Sequence, residues 1–302
     1  MYKNTKFDAI IIGGSYAGLS AAMTLGRSLR NVLVIDSGKP CNAQTPHTHN
    51  LITLDGETPA SIIDKAKQQV LKYETIQFTN GHVSEVKGSN KSFEVYTTSG
   101  QKYECSKLLF ATGINDISPE IPGYTECWGI SVLHCPYCHG YEVRNSDIGI
   151  LGNGEFGFEL CKMLFNWSKK ITLYTNGKSE LSKDQNSKLE FHDIEIIEKE
   201  VQSLRHVNGQ LEELVFIDQS THKSNALFVR TNFIQHCDIP EKLGCKLTES
   251  GYIFIVDSQR TSVDGIYVAG DNSSIYRAVG SAMADGTKAA AYINKALNEE
   301  SF

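Results

Sequence analysis

Cys135 and Cys138, in the run His134-Cys135-Pro136-Tyr137-Cys138-His139-Gly140, have the types and spacing for chemistry. Two cysteines separated by two residues sit roughly 5.5–6 Å apart at Cα, the separation a disulfide bridges. In this spacing one thiol commonly has a depressed pKa. Thiolate, the nucleophile of disulfide exchange, is then available near neutral pH. His134 and His139 flank the pair as candidate proton holders. Three readings compete: a redox dithiol, half of a zinc site, or an inert reduced pair. A closed zinc site needs a second, correctly spaced pair of ligands, and none lies nearby. The redox dithiol is the reading that stands, and no metal is expected.

Such a pair needs elements to hold it and a partner for its electrons. The run Phe7-Asp8-Ala9-Ile10-Ile11-Ile12 reads as a buried parallel strand, feeding Gly13-Gly14-Ser15-Tyr16-Ala17-Gly18 and a periodic apolar segment from Leu19 to Leu29. A second strand, Val32-Leu33-Val34-Ile35, ends in Asp36, 23 positions after Gly13. Strand, glycine turn, helix, strand and acid are what a dinucleotide needs. The turn brings backbone amides to the pyrophosphate, and the carboxylate takes a ribose hydroxyl. Ser15 departs from the fingerprint, which asks for glycine there. The order recurs after the cysteines: Ile148-Gly149-Ile150-Leu151, then Gly152-Asn153-Gly154-Glu155-Phe156-Gly157, a helix to about Trp167 and the strand Ile171 to Tyr174. The acid position of this second unit is Thr175, followed by Asn176-Gly177-Lys178. It offers neither a carboxylate for the 2′-hydroxyl of NAD nor an arginine cluster for the 2′-phosphate of NADP.

Between these units, Pro59 to Lys72 reads as an amphipathic helix and Ile76 to Tyr103 as a small antiparallel sheet with turn signals. Lys107 to Gly113 is a strand ending in a glycine turn. Ile194 to Phe216 reads as alternating strands. Gly265 to Asp271 is a strand ending in Gly-Asp, with an Ala-rich helix from about Val279 to Leu297 after it. His47 and His49 fall in a polar loop, where solvated side chains are the plainer reading and a site role the alternative. The composition, 40% hydrophobic and 21% charged with mean hydropathy −0.26, is that of a soluble globular chain long enough for two domains. A net charge of −6 without any basic run argues against nucleic acid or an anionic membrane as partner. Met1 to Lys6 is loosely basic but leads into no apolar core of a signal peptide, and no membrane span is expected. Eight cysteines without a framework pattern fit a reducing compartment, by default the cytoplasm.

Taken together, these residues resemble the low-molecular-weight thioredoxin reductases, class II of the pyridine nucleotide-disulfide oxidoreductases. The resemblance rests on the first glycine turn with Asp36, the end Ala111-Thr112-Gly113, Cys135-Pro136-Tyr137-Cys138 placed 14 residues before the second glycine turn, and Ala269-Gly270-Asp271 followed by Tyr276-Arg277-Ala278. It implies an α/β fold of two Rossmann-like, three-layer ββα nucleotide-binding domains. A discontinuous FAD domain would span residues 1–117 and 243–302, and an NAD(P) domain carrying the dithiol residues 118–242. It implies hinges near Asn115 to Pro122 and Asp238 to Leu243, a homodimer, and rotation between domains. Gly13, Gly14, Ser15, Ala17, Gly18, Asp36, Val83, Ala111, Thr112, Gly113, Gly270, Asp271, Ala278 and Val279 would hold FAD. Gly152, Gly154, Glu155, Phe156 and Gly157 would hold NADPH or NADH. Cys138 would face the flavin, and Cys135 would exchange with a thioredoxin-like protein or a small-molecule disulfide.

Three departures qualify this. His139 stands where the reductases carry aspartate, and replaces it as general acid in this reading; the His-Arg-Arg run is missing; and Ala278 replaces glutamine. Cys-x-x-Cys-His-Gly is similar to the gliotoxin- and holomycin-type dithiol oxidases, which implies an alternative in which a dithiol feeds electrons through FAD to oxygen. A flavin-binding redox sensor without turnover is a further alternative.

Overall fold

The computed structural model describes residues 6–302; Met1 to Thr5, part of the loosely basic start, lie outside the described residues. The chain forms two compact units. One contains residues up to Ala43, Ala60–Asn115 and Phe233–Phe302; the other contains Gln44–Pro59 and Asp116–Asn232. Residues 233–242 therefore pack with the first unit, and residues 44–59 with the second. The strands Ile114–Ile117 and Asn232–Gln235, in which the chain passes from one unit to the other, pair as a two-stranded ribbon.

The first unit is built on parallel strands in the order Ile76–Asn80, Val32–Asp36, Lys6–Ile12, Lys102–Phe110, with Ile266–Val268 also paired to the last of these. Unbroken runs such as Ala9-Ile10-Ile11-Ile12 are buried throughout, as strands covered on both faces must be. Lys102–Phe110 serves two layers. Its start pairs antiparallel with Ser92–Thr97 (Phe93↔Cys105), and its end pairs parallel with Ile266–Val268 (Val268↔Phe110). Ile76–Asn80 differs from the sequence expectation. It joins the parallel layer beside Val32–Asp36, because Ile76 is buried against Gly26 and the first helix, and only Val83–Ser89 and Ser92–Thr97 form the antiparallel part.

Helices Tyr16–Arg27 and Val279–Ser301 pack together. The latter buries Ala282, Gly286, Ala289, Ala290, Ile293 and Leu297, a stripe of helical spacing whose small residues permit close approach. A Cβ on Gly286 would lie 2.0 Å from the Ala17 carbonyl oxygen. The core between the layers is Phe7, Ile10, Ile12, Leu33, Ile35, Phe93, Val95, Leu108, Phe110 and Val268.

The second unit repeats the plan with parallel strands Glu195–Ile197, Ile171–Tyr174, Ile148–Leu151, Ala226–Val229 and Val132–Leu133. An antiparallel layer of Val201–Val207, Gln210–Phe216 and Thr221–Lys223 accompanies it. Helix Lys183–Phe191, which the sequence reading passes over, starts on a reciprocal cap between Ser182 and Gln185. Its apolar stripe is thin, with Leu189 its buried residue. No helix among the described residues is long and apolar enough to cross a membrane.

Candidate active site

Two sites emerge, one in each unit. In the first unit, strand Lys6–Ile12 ends at Gly13, whose φ of +105° and whose missing Cβ, which would fall 2.2 Å from the Ala111 carbonyl oxygen, admit only glycine. The Gly14 N–H donates to Asp36 Oδ1 at 2.9 Å, so the acid closing the second strand also pins the turn. Ser15 caps helix Tyr16–Arg27 without a side-chain bond, and the first turn carries no acidic residue. The positive end of that helix is thus left to an external anion.

A groove of about 340 Å³ runs over this turn. It is lined by Gly13, Gly14, Ser15, Ala17, Asp36, Val83, Ala111, Thr112, Gly113, Gly270 and Asp271, all expected from the sequence. Gly18 is not a lining residue but supports the turn, since a Cβ there would lie 1.9 Å from the Gly13 carbonyl oxygen. Ala278 and Val279 stand at the start of the last helix, outside the lining, which that helix reaches at Ala282. Sequence reasoning missed Cys41, Asp64, His236 and Cys237, which also line the groove. No local pattern marks them; distant segments bring them there. Asp271 Oδ2 lies 3.8 Å from both Cys41 Sγ and Arg277 Nε. FAD fits these residues: uncapped helix amides suit its pyrophosphate, Asp36 a ribose, and the small residues around Gly13 and Gly113 a close approach of backbone to ligand.

In the second unit, strand Val132–Leu133 delivers the cysteines to a short helix, Pro136–His139. Cys135 is its N-cap and Pro136 its first residue, where a missing N–H has no consequence. Cys135 and Cys138 are joined as a disulfide with Cα atoms 5.3 Å apart. Cys135 Sγ accepts the Cys138 N–H at 3.2 Å. That amide favours negative charge on Cys135 once the pair is opened. Tyr137, between the cysteines in sequence, is 66% exposed and packs edge-on against Trp167 with ring centres 5.8 Å apart. Glycine at 140 suits the close packing here, since a Cβ would lie 2.6 Å from the Pro136 carbonyl oxygen and 3.0 Å from Trp167 Nε1. His134 stacks on Trp128, which stacks on Tyr124.

His139 is pushed down to about 4, first by burial and then by the neighbouring His49. It is therefore neutral at pH 7 while the disulfide is closed, and it stores no proton to donate. This narrows the general-acid role expected from the sequence to one in which a neutral imidazole first takes a proton. The thiols of Cys105, Cys127, Cys161, Cys237 and Cys245 are all pushed up by burial, that of Cys161 to about 12, which leaves them unreactive.

The second glycine turn is filled by the chain's own groups. Asn153 Oδ1 accepts the N–H of Gly154 and of Glu180, each at 2.8 Å, and its amide donates to the Lys178 carbonyl at 2.9 Å. A Cβ on Gly152 would lie 2.7 Å from the Phe156 ring, which covers the turn. Glu155 occupies the first helical turn, and Glu180 Oε2 would lie 3.6 Å from a Cβ on Gly154. Gly157 lets the helix approach Gly152. Thr175, at the acid position, is buried and donates its hydroxyl to the Gly177 carbonyl at 2.6 Å.

The pyridine nucleotide-disulphide oxidoreductase family model matches residues 7–286. Thioredoxin reductase tcpT of Claviceps purpurea is 32% identical over 292 residues, covering 92% of this chain and 90% of that protein. A solved thioredoxin reductase described as TrxB of Bacillus anthracis is 30% identical with a TM-score of 0.92, covering 98% and 100%. A solved oxidoreductase of Agrobacterium tumefaciens is 34% identical with a TM-score of 0.91, covering 97% and 99%. With its paired glycine-turn units and its Cys-x-x-Cys disulfide, the chain belongs to the pyridine nucleotide-disulphide oxidoreductase family, in the thioredoxin reductase group.

Proposed function

We propose that this flavoprotein moves electrons from NADPH or NADH, through bound FAD and the Cys135–Cys138 pair, to the disulfide of a thioredoxin-like protein or a small molecule. The observation that carries the reading is the disulfide that caps its own helix, with Cys135 Sγ held by the Cys138 N–H. FAD, when bound, supplies the two-electron carrier that no side chain provides.

The chain's own residues then divide the work. Asp36 and the amides at the start of helix Tyr16–Arg27 bind and orient the dinucleotide in the first unit. Once the pair is reduced, Cys135 is the exchanging thiolate. It attacks one sulfur of the substrate disulfide, that bond breaks, and a mixed disulfide forms with a substrate thiolate leaving. Cys138 then attacks Cys135 Sγ, re-forming the internal disulfide and releasing the second substrate thiolate. His139, neutral and beside Cys138, takes the Cys138 proton in that second step. Reduced buried thiols at Cys105, Cys127, Cys161 and Cys245 support a cytoplasmic setting. The resemblance supports a homodimer, with the first unit as FAD domain and the second as the nucleotide domain bearing the dithiol.

The state of the second glycine turn favours a second reading. With Phe156 over Gly152, Asn153 and Glu180 filling the turn and Thr175 buried, the second unit offers a nucleotide little beyond its Gly-x-Gly-x-x-Gly backbone. In that reading a substrate dithiol reduces Cys135–Cys138, and oxygen is the final acceptor. Anaerobic titration of the yellow protein with NADPH, NADH and a dithiol, following the flavin absorbance, decides between them. Rapid bleaching by a nicotinamide supports the reductase. Bleaching by dithiol alone, with peroxide on aeration, supports the oxidase. Bleaching by neither ends both.

A further inference from the structure

The dithiol helix Pro136–His139 is four residues long. A single turn has too few hydrogen bonds of its own to hold its shape in water. While Cys135 and Cys138 are joined, the covalent bond staples it. Reduction removes that staple. The Cys138 N–H, 3.2 Å from Cys135 Sγ, then stays on the sulfur only if another group keeps the turn folded. Trp167 is placed to do this. It belongs to the turn that follows helix Gly154–Leu164, and its N–H donates to the Leu164 carbonyl at 2.8 Å. The half-buried ring packs on the core cluster that contains Leu133, Ile150 and Leu164. It also meets the dithiol segment twice. It lies edge-on to Tyr137, with ring centres 5.8 Å apart, and close to Gly140, where a Cβ would be 3.0 Å from Nε1 and 3.1 Å from Cδ1. The backbone adds two ties just beyond the helix. The Trp167 carbonyl accepts the Asn145 N–H at 2.9 Å, and the Ser168 hydroxyl donates to the Ser146 carbonyl at 2.7 Å. Ionisable neighbours have other partners: His134 stacks on Trp128, Lys169 lies over the Phe165 ring, and Arg144 lies over Tyr141 and bonds its carbonyl. His139 is on the dithiol helix itself.

We propose that Trp167 is a positioning residue of the thiol–disulfide exchange, holding the reduced dithiol turn in its disulfide-bonded shape so that the Cys138 N–H remains on Cys135 Sγ and keeps that sulfur a thiolate. The inference rests on the exchange reading of Cys135–Cys138 and adds the group that preorganises its nucleophile. The bonds made and broken are those of the exchange itself, and Trp167 takes neither electrons nor a proton. Its effect on the two redox states is unequal. The oxidised turn keeps its shape through the S–S bond, whereas the reduced turn depends on the ring. Loss of the ring therefore destabilises the reduced state more. The thiolate fraction at Cys135 falls near neutral pH, and the dithiol–disulfide balance moves towards the disulfide.

The test reduces the flavin-loaded full chain with dithiothreitol under anaerobic conditions, removes the reductant, and follows alkylation of Cys135 by iodoacetamide across pH with mass spectrometry. In Trp167→Leu the reaction slows about tenfold near neutral pH, the effect of losing one hydrogen bond to a charged sulfur. It reaches the wild-type rate at alkaline pH, where every thiol is thiolate. In mixtures of reduced and oxidised dithiothreitol the same variant stays more oxidised than wild type. Trp167→Phe, which keeps an aromatic edge, recovers most of both properties. Tyr137→Leu, at an exposed position, removes the ring contact from the other side and shows a smaller loss of the same shape; it carries the test by itself if Trp167→Leu does not fold. A wild-type alkylation profile in these variants, or a loss equal at every pH, overturns the role of Trp167 alone. A wild-type Cys135 that shows no thiolate reactivity near neutral pH overturns the exchange reading and this inference with it.

Discussion

At the scale of single residues, the proposed exchange places its chemistry on two sulfurs and one imidazole. Cys135→Ser and Cys138→Ser should each reduce disulfide turnover to background while the protein stays folded and yellow, because the groove in the first unit contains neither residue. Turnover with a disulfide substrate and flavin absorbance check this together; full activity in either variant removes the pair from the reaction. His139 makes a pH prediction whose sign follows from its depressed value. The folded state holds it at about 4 against an ordinary 6.5, so the unfolded chain binds that proton first. The stability it contributes is fully present above pH 6.5 and is lost as pH falls from 6.5 towards 4. Thermal melts of wild type over that window should decline more steeply than those of His139→Gln; parallel curves would show that the imidazole is not held neutral.

Elements decide where those residues stand. The first glycine turn works because backbone meets backbone, at Gly13 with Ala111 and at Gly286 with Ala17. Gly286→Ala puts a methyl group 2.0 Å from the Ala17 carbonyl in the helix that opens the groove. Overpacking of this kind costs about 1–3 kcal/mol, and denaturant titration should show that loss together with reduced flavin retention. Gly13→Ala, strained at φ +105° as well, should be isolated colourless. A fully yellow Gly13→Ala protein would separate this turn from flavin binding. The second turn is an equally good turn, yet its caps and carboxylates come from its own chain. A shared spacing therefore does not make two equal sites.

Across the whole molecule, segments distant in sequence close each unit. Lys107 is 1% exposed in the middle of the first sheet, and its ammonium bonds Glu300 Oε1 at 2.6 Å and Asn90 Oδ1 at 2.5 Å. The last helix is thereby tied to a strand formed far earlier. Glu300→Gln strands a buried charge and should destabilise by about 3 kcal/mol or more, whereas Lys107→Met, which removes that charge, should be far milder. Denaturant midpoints of the two variants check the order. The reverse order would mean that the pair is solvated and of little weight.

What the amino-acid sequence by itself determined were the features carried by local pattern. Apolar runs made the parallel strands, glycine spacing made both turns, and two cysteines three apart were bound to meet, because neighbours along a chain need no fold to bring them together. Part of the groove lining followed as well, since Asp36 ends a strand and Gly113 and Asp271 each lie three residues past the end of another strand of the same sheet, and strand ends on one edge converge. Only the tertiary structure decided what depends on long-range contact. It placed Ile76–Asn80 in the parallel layer, brought Cys41 and His236 to the groove, and set His49 between Asp55 and Glu142. It also held His139 neutral, since a side chain's charge is set by the solvent it loses and by the neighbours it gains on folding.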